Sequence, residues 1–229
     1  MFGTFWRNED DMMWSITHPD HGTAEESWSN QVTLETALAF TAKIPDWPEV
    51  ADRVIKATPS DALVDWKLMW RDPQPKWTSP AGHVVQLGDA AHTFLPSSGN
   101  GATQAIEDGV SLAACVAIAG KDRIPDATRV HNLLRFERVS FLQALGVVRS
   151  ENNRGAGKEP PMPGRWLQEH DPEAYAEENF QKALAQLRDG TPFQNTNRPK
   201  DVEYQPWTID ALQAAWEASE PTILDGDWS

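Results

Sequence analysis

The pattern of apolar and polar positions divides the chain into three stretches. In residues 1–80, Met12-Met13-Trp14-Ser15-Ile16-Thr17 resembles a strand, Thr33–Lys43 carries Leu34, Ala37, Leu38, Thr41 and Ala42 at helical spacing, and Glu49–Lys56 is a shorter helical candidate. Ala62–Trp70 reads as extended up to Arg71-Asp72-Pro73, so this stretch is mixed α and β. In residues 81–157, His83-Val84-Val85-Gln86-Leu87 lies between Gly82 and Gly88-Asp89 and predicts a short buried strand. A Gly/Pro/Ser loop follows from Thr93 to Gly101. From Ala102, the residues Ala105, Ile106, Gly109, Ala113 and Val116 recur at i+3 and i+4 steps with Glu107, Asp108 and Ser111 on the other side, which predicts an amphipathic helix. A second helix is predicted over Asp126–Val148, with Arg129, Arg135 and Arg138 among its apolar positions, ending before a polar loop at Ser150–Gly157. Residues 158–229 are Pro- and acid-rich and read as a surface-wrapping tail with helices near Pro172–Arg188 and Thr208–Glu217.

Composition narrows the partners. The 229 residues include 20 basic and 34 acidic side chains, a net charge of −14, which removes nucleic acid and anionic membrane as default partners. A lone cysteine, Cys115, allows neither an internal disulfide nor a multi-Cys zinc site, so a cytoplasmic protein is expected. The longest apolar run, Leu112–Ala119, is about half of what a bilayer requires, so no membrane span is expected. His18, Asp20 and His21 read as a solvated turn before they read as a metal site, and Ser97-Ser98 lacks the Gly-x-Ser-x-Gly frame of a hydrolase. His92 reads as a residue that supports the site from behind or simply packs, before it reads as a proton carrier, and Glu25-Glu26 and Glu177-Glu178 as solvated faces. Trp6, Trp14, Trp66 and Trp70 read mostly as core, with about one in three free to line an apolar substrate pocket.

The chemistry concentrates between Gly88 and Asp108. A carboxylate at the carboxyl end of a strand, Asp89, can accept hydrogen bonds from sugar-like hydroxyls in the crevice where open α/β folds bind ligands. Gly99 and Gly101 let backbone approach a flat ligand, and the helix starting near Ala102 aims unpaired N–H groups and its positive dipole end at developing negative charge.

This combination, Gly88-Asp89-Ala90-Ala91-His92 followed by Pro96, Gly99-Asn100-Gly101-Ala102-Thr103 and Glu107-Asp108, closely resembles the second flavin-binding motif of the FAD-dependent monooxygenases related to salicylate and para-hydroxybenzoate hydroxylases. Phe136-Glu137-Arg138-Val139-Ser140 resembles the family's late helix, and the tail with Trp166, His170-Asp171-Pro172 and Pro206-Trp207 is similar to C-terminal extensions of fungal members. The resemblance implies a mixed α/β, partial FAD-binding monooxygenase fold. Residues 1–80 would be the remainder of a substrate-binding sheet and helix region, 81–157 the flavin-binding strand, loop and helices, and 158–229 the extension. It further implies that Asp89 binds the ribitol hydroxyls of FAD, that Pro96 lies near the isoalloxazine ring, and that the backbone of Gly99, Gly101, Ala102 and Thr103 faces the pyrimidine end. The implied activity is hydroxylation or epoxidation of an aromatic or polyketide-like small molecule, as in secondary metabolism, using O2 and NAD(P)H as transient electron donor. Thr103 stands where relatives usually place Asn, and Asn100 where Gln is common. No Gly-x-Gly-x-x-Gly follows a strand, so the chain resembles a C-terminal portion whose dinucleotide-binding half a separate polypeptide or further sequence would supply. The alternative is a catalytically inactive remnant or an accessory, interaction protein of such an enzyme.

Overall fold

The computed structural model describes residues 2–20, 22, 27, 29–152 and 159–228. His21, Glu25-Glu26, Trp28 and most of the polar loop after Ser150 fall outside the described residues. Contacts divide the chain into two units, Met1–Met69 and Trp70–Ser229.

In the first unit, β1 (Phe2–Arg7) and β2 (Met12–Thr17) form an antiparallel ribbon in which Phe5 pairs with Trp14 and Trp6 with Met13. Asn8 shapes the turn, its Oδ1 accepting from the amide of Asp10 at 3.0 Å. The strand at 12–17 was predicted; its partner was not. α1 (Leu34–Thr41) starts where the Thr33 hydroxyl accepts from the Thr36 amide, and α2 (Glu49–Lys56) begins after Pro48, both close to the predicted spans. Ala62–Trp70 is not a strand: only Val64 bridges, to Gln31.

The second unit is helical: α3 (Gly101–Ala119), α4 (Ile124–Asn152), α5 (Arg165–Gln168), α6 (Pro172–Asp189) and α7 (Ile209–Glu217). α4 is the axis. Its Val130 and Leu134 pack with Cys115 of α3 and Ala176, Phe180 and Ala183 of α6. Further along, its Phe141, Leu145 and Val148 pack with Leu212 and Trp216 of α7 and with Trp228. The region beyond 158 is therefore not a surface-wrapping tail but a wall of the core. Its acidic composition concealed this because Asp and Glu occupy the outer faces of α6 and α7, and Asp171 caps α6 by accepting from Glu173 and Ala174 amides ahead of Pro172.

Two further expectations are corrected. The 83–87 run is not a buried strand. It forms one bridge, Thr78 to Val85, with Val84 66% exposed, and the side chain that goes inside is that of Trp77. No neighbouring strand among the described residues covers the run. α3 is amphipathic as predicted, but it buries the polar side: Gln104, Glu107, Asp108 and Ser111 are buried while Ile106 is 68% exposed. The cause lies on α4, whose Arg135 and Arg138 face that side. α3 alone among the described helices has the length and composition to cross a membrane, yet these ion pairs tie it into the helical core.

Candidate functional site

The site begins at the turn Gly88–Ala90. Gly88 sits at φ +55°, and a Cβ there would come within 3.1 Å of the Ala105 Cβ, so a glycine is what lets the turn lie against α3. Its amide donates to Asp108 Oδ2 at 3.1 Å, and its carbonyl accepts from the amides of Ala91 and His92 at 2.9 Å each. Asp89, between these anchors, is exposed.

The following loop is seated on one face of α4. Gln143 donates to the Thr93 carbonyl at 3.0 Å and Arg149 to the Ser98 carbonyl at 3.1 Å. Between them Gly146 makes room, since a Cβ there would stand 2.9 Å from that of Ser98. Gly99 adopts φ +67°, and a Cβ on it would touch nothing within 4 Å, so its flank is open. The Asn100 side chain turns back to the Ser98 carbonyl at 2.7 Å and does not cap α3. The first intrahelical bond is donated by Gln104, to the Asn100 carbonyl. The amides of Gly101, Ala102 and Thr103 therefore have no acceptor among the described residues.

Asp89, Pro96, Gly99, Ala102 and Thr103 are all exposed and Gly101 is half-buried. The hollow beside Asp89, lined also by Arg71, Asp72, Thr93 and Gln143 but not by Pro96, Gly99, Gly101, Ala102 or Thr103, has a volume of about 170 Å³. Pockets that enclose a drug-sized ligand measure roughly 300–1,000 Å³, so this hollow is a shallow wall too small to enclose one.

Behind that wall lies a buried ionic network that the sequence reading missed. Arg135 donates to Asp108 Oδ1 at 2.9 Å, to Glu107 Oε2 and to Gln104 Oε1 at 2.7 Å. Arg138 grips both oxygens of Glu107 at 2.8 and 3.0 Å and reaches the carbonyls of Trp166 and Leu167. His92 Nε2 lies 2.6 Å from Asp108 Oδ2. Burial alone would raise the Glu107 and Asp108 carboxyls. The hydrogen bond and charge of Arg138 with Arg135 hold Glu107 below its usual range, and the His92 hydrogen bond with the Arg135 charge does so for Asp108. Burial pushes His131 down to about 4 and the Cys115 thiol up to about 12. The available signal was opposite charge at helical spacing on two helices: Glu107 and Asp108 against Arg135 and Arg138.

Elsewhere, His18 stacks on Phe40 and lies 3.3 Å from Asp65, which gives it a packing role. His92 sits against Trp77 and Phe94, and its ring contacts match the packing reading.

No family model matches the chain. It is 41% identical over 241 residues to the FAD-dependent monooxygenase dmxR9 of Cryptosporiopsis sp., covering 99% of this chain and 46% of that protein. It is 43% identical to the FAD-dependent monooxygenase mdpD of Emericella nidulans, covering 91% of this chain and 42% of the relative. Among solved structures, FqzB superposes with a TM-score of 0.69 at 31% identity, over 84% of this chain and 46% of that one. CtdE in complex with FAD does so with a TM-score of 0.62 at 34% identity, over 73% and 40%. The chain thus spans less than half the length of these relatives.

Proposed function

We propose, on the premise that this chain is a homologue of part of the fungal FAD-dependent monooxygenases, that it forms the flavin-facing wall of such an enzyme. The proposed substrate is an aromatic or polyketide-like small molecule, with NAD(P)H as the electron donor. The residues present fit one side of FAD. An exposed carboxylate at Asp89 is the acceptor that ribityl hydroxyls need, the open flank of Gly99 admits a planar edge, and three uncapped amides at 101–103 can meet a pyrimidine carbonyl. Pro96 would stand beside the ring. When bound, the flavin would supply the oxygen chemistry; the chain's own part is to orient it and to place positive dipole where negative charge collects.

In this reading residues 81–157 carry the flavin wall, 1–80 belong to the substrate side and 158–229 brace α4. The remaining walls come from a dinucleotide-binding half, in the same polypeptide or a separate one. That half also accounts for the exposed Ile106 and Val110 stripe of α3, an apolar face without a partner among the described residues. The observation that carries the proposal is the uncapped start of α3, the helix whose Ala105 and Asp108 hold the Gly88-Asp89 turn, in a homologue of FAD enzymes.

The test is gel filtration with FAD, of the chain alone and mixed with a dinucleotide-binding half taken from a relative, followed by substrate-dependent NAD(P)H consumption. Yellow absorbance is expected to co-elute only in the mixture and to weaken in Asp89→Ala. The small size of the hollow favours one second reading, a catalytically inactive remnant or accessory protein. Loss of flavin in both samples would select it.

A further inference from the structure

Asp108 spends its two oxygens differently. Oδ1 accepts from Arg135 Nε at 2.9 Å, which alone would neutralise it. Oδ2 is turned the other way and accepts from the Gly88 amide at 3.1 Å and from His92 Nε2 at 2.6 Å. The carboxylate can only accept, so Nε2 of His92 carries the proton. His92 Nδ1 is buried with no hydrogen-bond partner among the described residues. The His92 backbone amide closes the turn by donating to the Gly88 carbonyl at 2.9 Å. Gly88 is held at both ends, and Asp89 is the next residue.

We propose that Asp108 and His92 are positioning residues that lock the Gly88 turn and so fix the direction in which Asp89 presents its carboxylate. This rests on the reading of Asp89 as the polyol-binding group. The lock is anchored at depth: Asp108 is tied through Arg135 to Glu107, and through Arg138 to the carbonyls of Trp166 and Leu167. Burying two guanidiniums and two carboxylates is costly compared with apolar packing. A turn that cannot drift is what this network provides, and a site of this kind needs its polar groups held within about 0.5 Å.

The experiment uses the 229-residue chain labelled with ¹⁵N, without flavin. In the unsubstituted chain the His92 ring is expected to show a protonated Nε2 and the Gly88 amide to exchange slowly. A proton on Nδ1 alone, or a Gly88 amide exchanging as fast as an exposed one, overturns the proposal without any variant. In Asp108→Asn the Gly88 amide is expected to exchange at least about tenfold faster while Leu134 and Phe180 keep their protection, as for a local opening. Unchanged Gly88 exchange there overturns it. His92→Gln, which keeps a donor for Asp108, is expected to retain more Gly88 protection than His92→Ala, and equal loss in both counts against the proposal. FAD affinity, measured with the complementary half, separates the two readings. If no flavin binds, the proposed function fails, while the Gly88 and His92 measurements still decide the lock.

Discussion

Replacing Glu107 with Gln keeps the shape of the side chain and removes its charge. In the native network two guanidiniums, Arg135 and Arg138, face two carboxylates, Glu107 and Asp108, and both arginine side chains are at most 1% exposed. After the change Asp108 alone opposes two buried cations, and the amide must turn one NH₂ toward donors that already point at it. Breaking a buried pair on one side costs about 3–5 kcal/mol. A unit of this size loses about 2–4 °C of Tm per kcal/mol, so the melting temperature should fall by about 6–20 °C. The assay is thermal unfolding followed by circular dichroism at 222 nm, with urea unfolding for the free energy. Lys182→Ala serves as control. Its ion pair with Glu178 at 3.4 Å is solvent-exposed, and its loss should cost less than about 0.5 kcal/mol. The two carboxyls titrate below their usual values in the fold, so the network's contribution is complete above the unfolded carboxyl range and fades as pH falls through the lower folded values. Glu107→Gln should flatten that acid limb. A loss under about 1 kcal/mol, or an unchanged acid limb, would refute the claim that this network holds α3 to α4.

Phe180→Ala, at a fully buried position between α3, α4 and α6, should cost about 3–5 kcal/mol in urea unfolding, a loss that a surface tail could not produce. Cys115, its thiol pushed up to about 12 by burial, should resist a disulfide reagent in the native chain and react on unfolding; stability should also decline from about pH 9 toward 12, where the folded state keeps a proton the unfolded chain loses. His131 and His170, each lowered by burial from 6.5 to about 4, should make stability fall as pH drops from 6.5 toward 4, and His131→Phe should remove part of that slope. Gly146→Ala sets a helix gain of about 1 kcal/mol against a 2.9 Å approach to Ser98, so hydrogen exchange should quicken at Ser98–Asn100 even where Tm barely moves.

Helices were the legible part of the sequence because each carries its own signal. α6 has a 3.6-residue apolar period behind Asp171-Pro172, α7 has Thr208 as its cap, and α2 follows Pro48. β1 was missed because a strand is defined by its partner, and nothing in Phe2–Arg7 names β2. The 83–87 run failed for the converse reason: β-branched residues make a strand only where another strand lies alongside. Within the candidate site, Gly88-Asp89 and Gly99–Thr103 stand out in the sequence as a local motif. The lock behind them does not, since Arg135 lies 27 residues from Asp108 and only the fold brings the two together.

α3 shows why periodicity alone misdirects. It separates two faces without saying which one goes inside, and an apolar stripe is taken as the core side by default. Here α4 offers that helix two arginines, and a carboxylate pair repays their desolvation better than Ile106 and Val110 would. The apolar stripe is left outside on the same helix whose first amides are uncapped and whose Ala105 and Asp108 meet Gly88. Burying what remains exposed of Ile106 (68%) and Val110 (37%) would contribute about 1–2 and about 0.5–1 kcal/mol to association with a covering surface. The first unit is unfinished in a comparable way: a two-stranded ribbon is marginal in water, and Trp6 and Met13 on one of its faces are 49% and 64% exposed. The helical core of residues 70–229 closes on itself and can carry the fold's stability. On the proposed reading the flavin wall needs a complementary half, so adding that half should raise flavin affinity far more than it raises the melting temperature of the helical core.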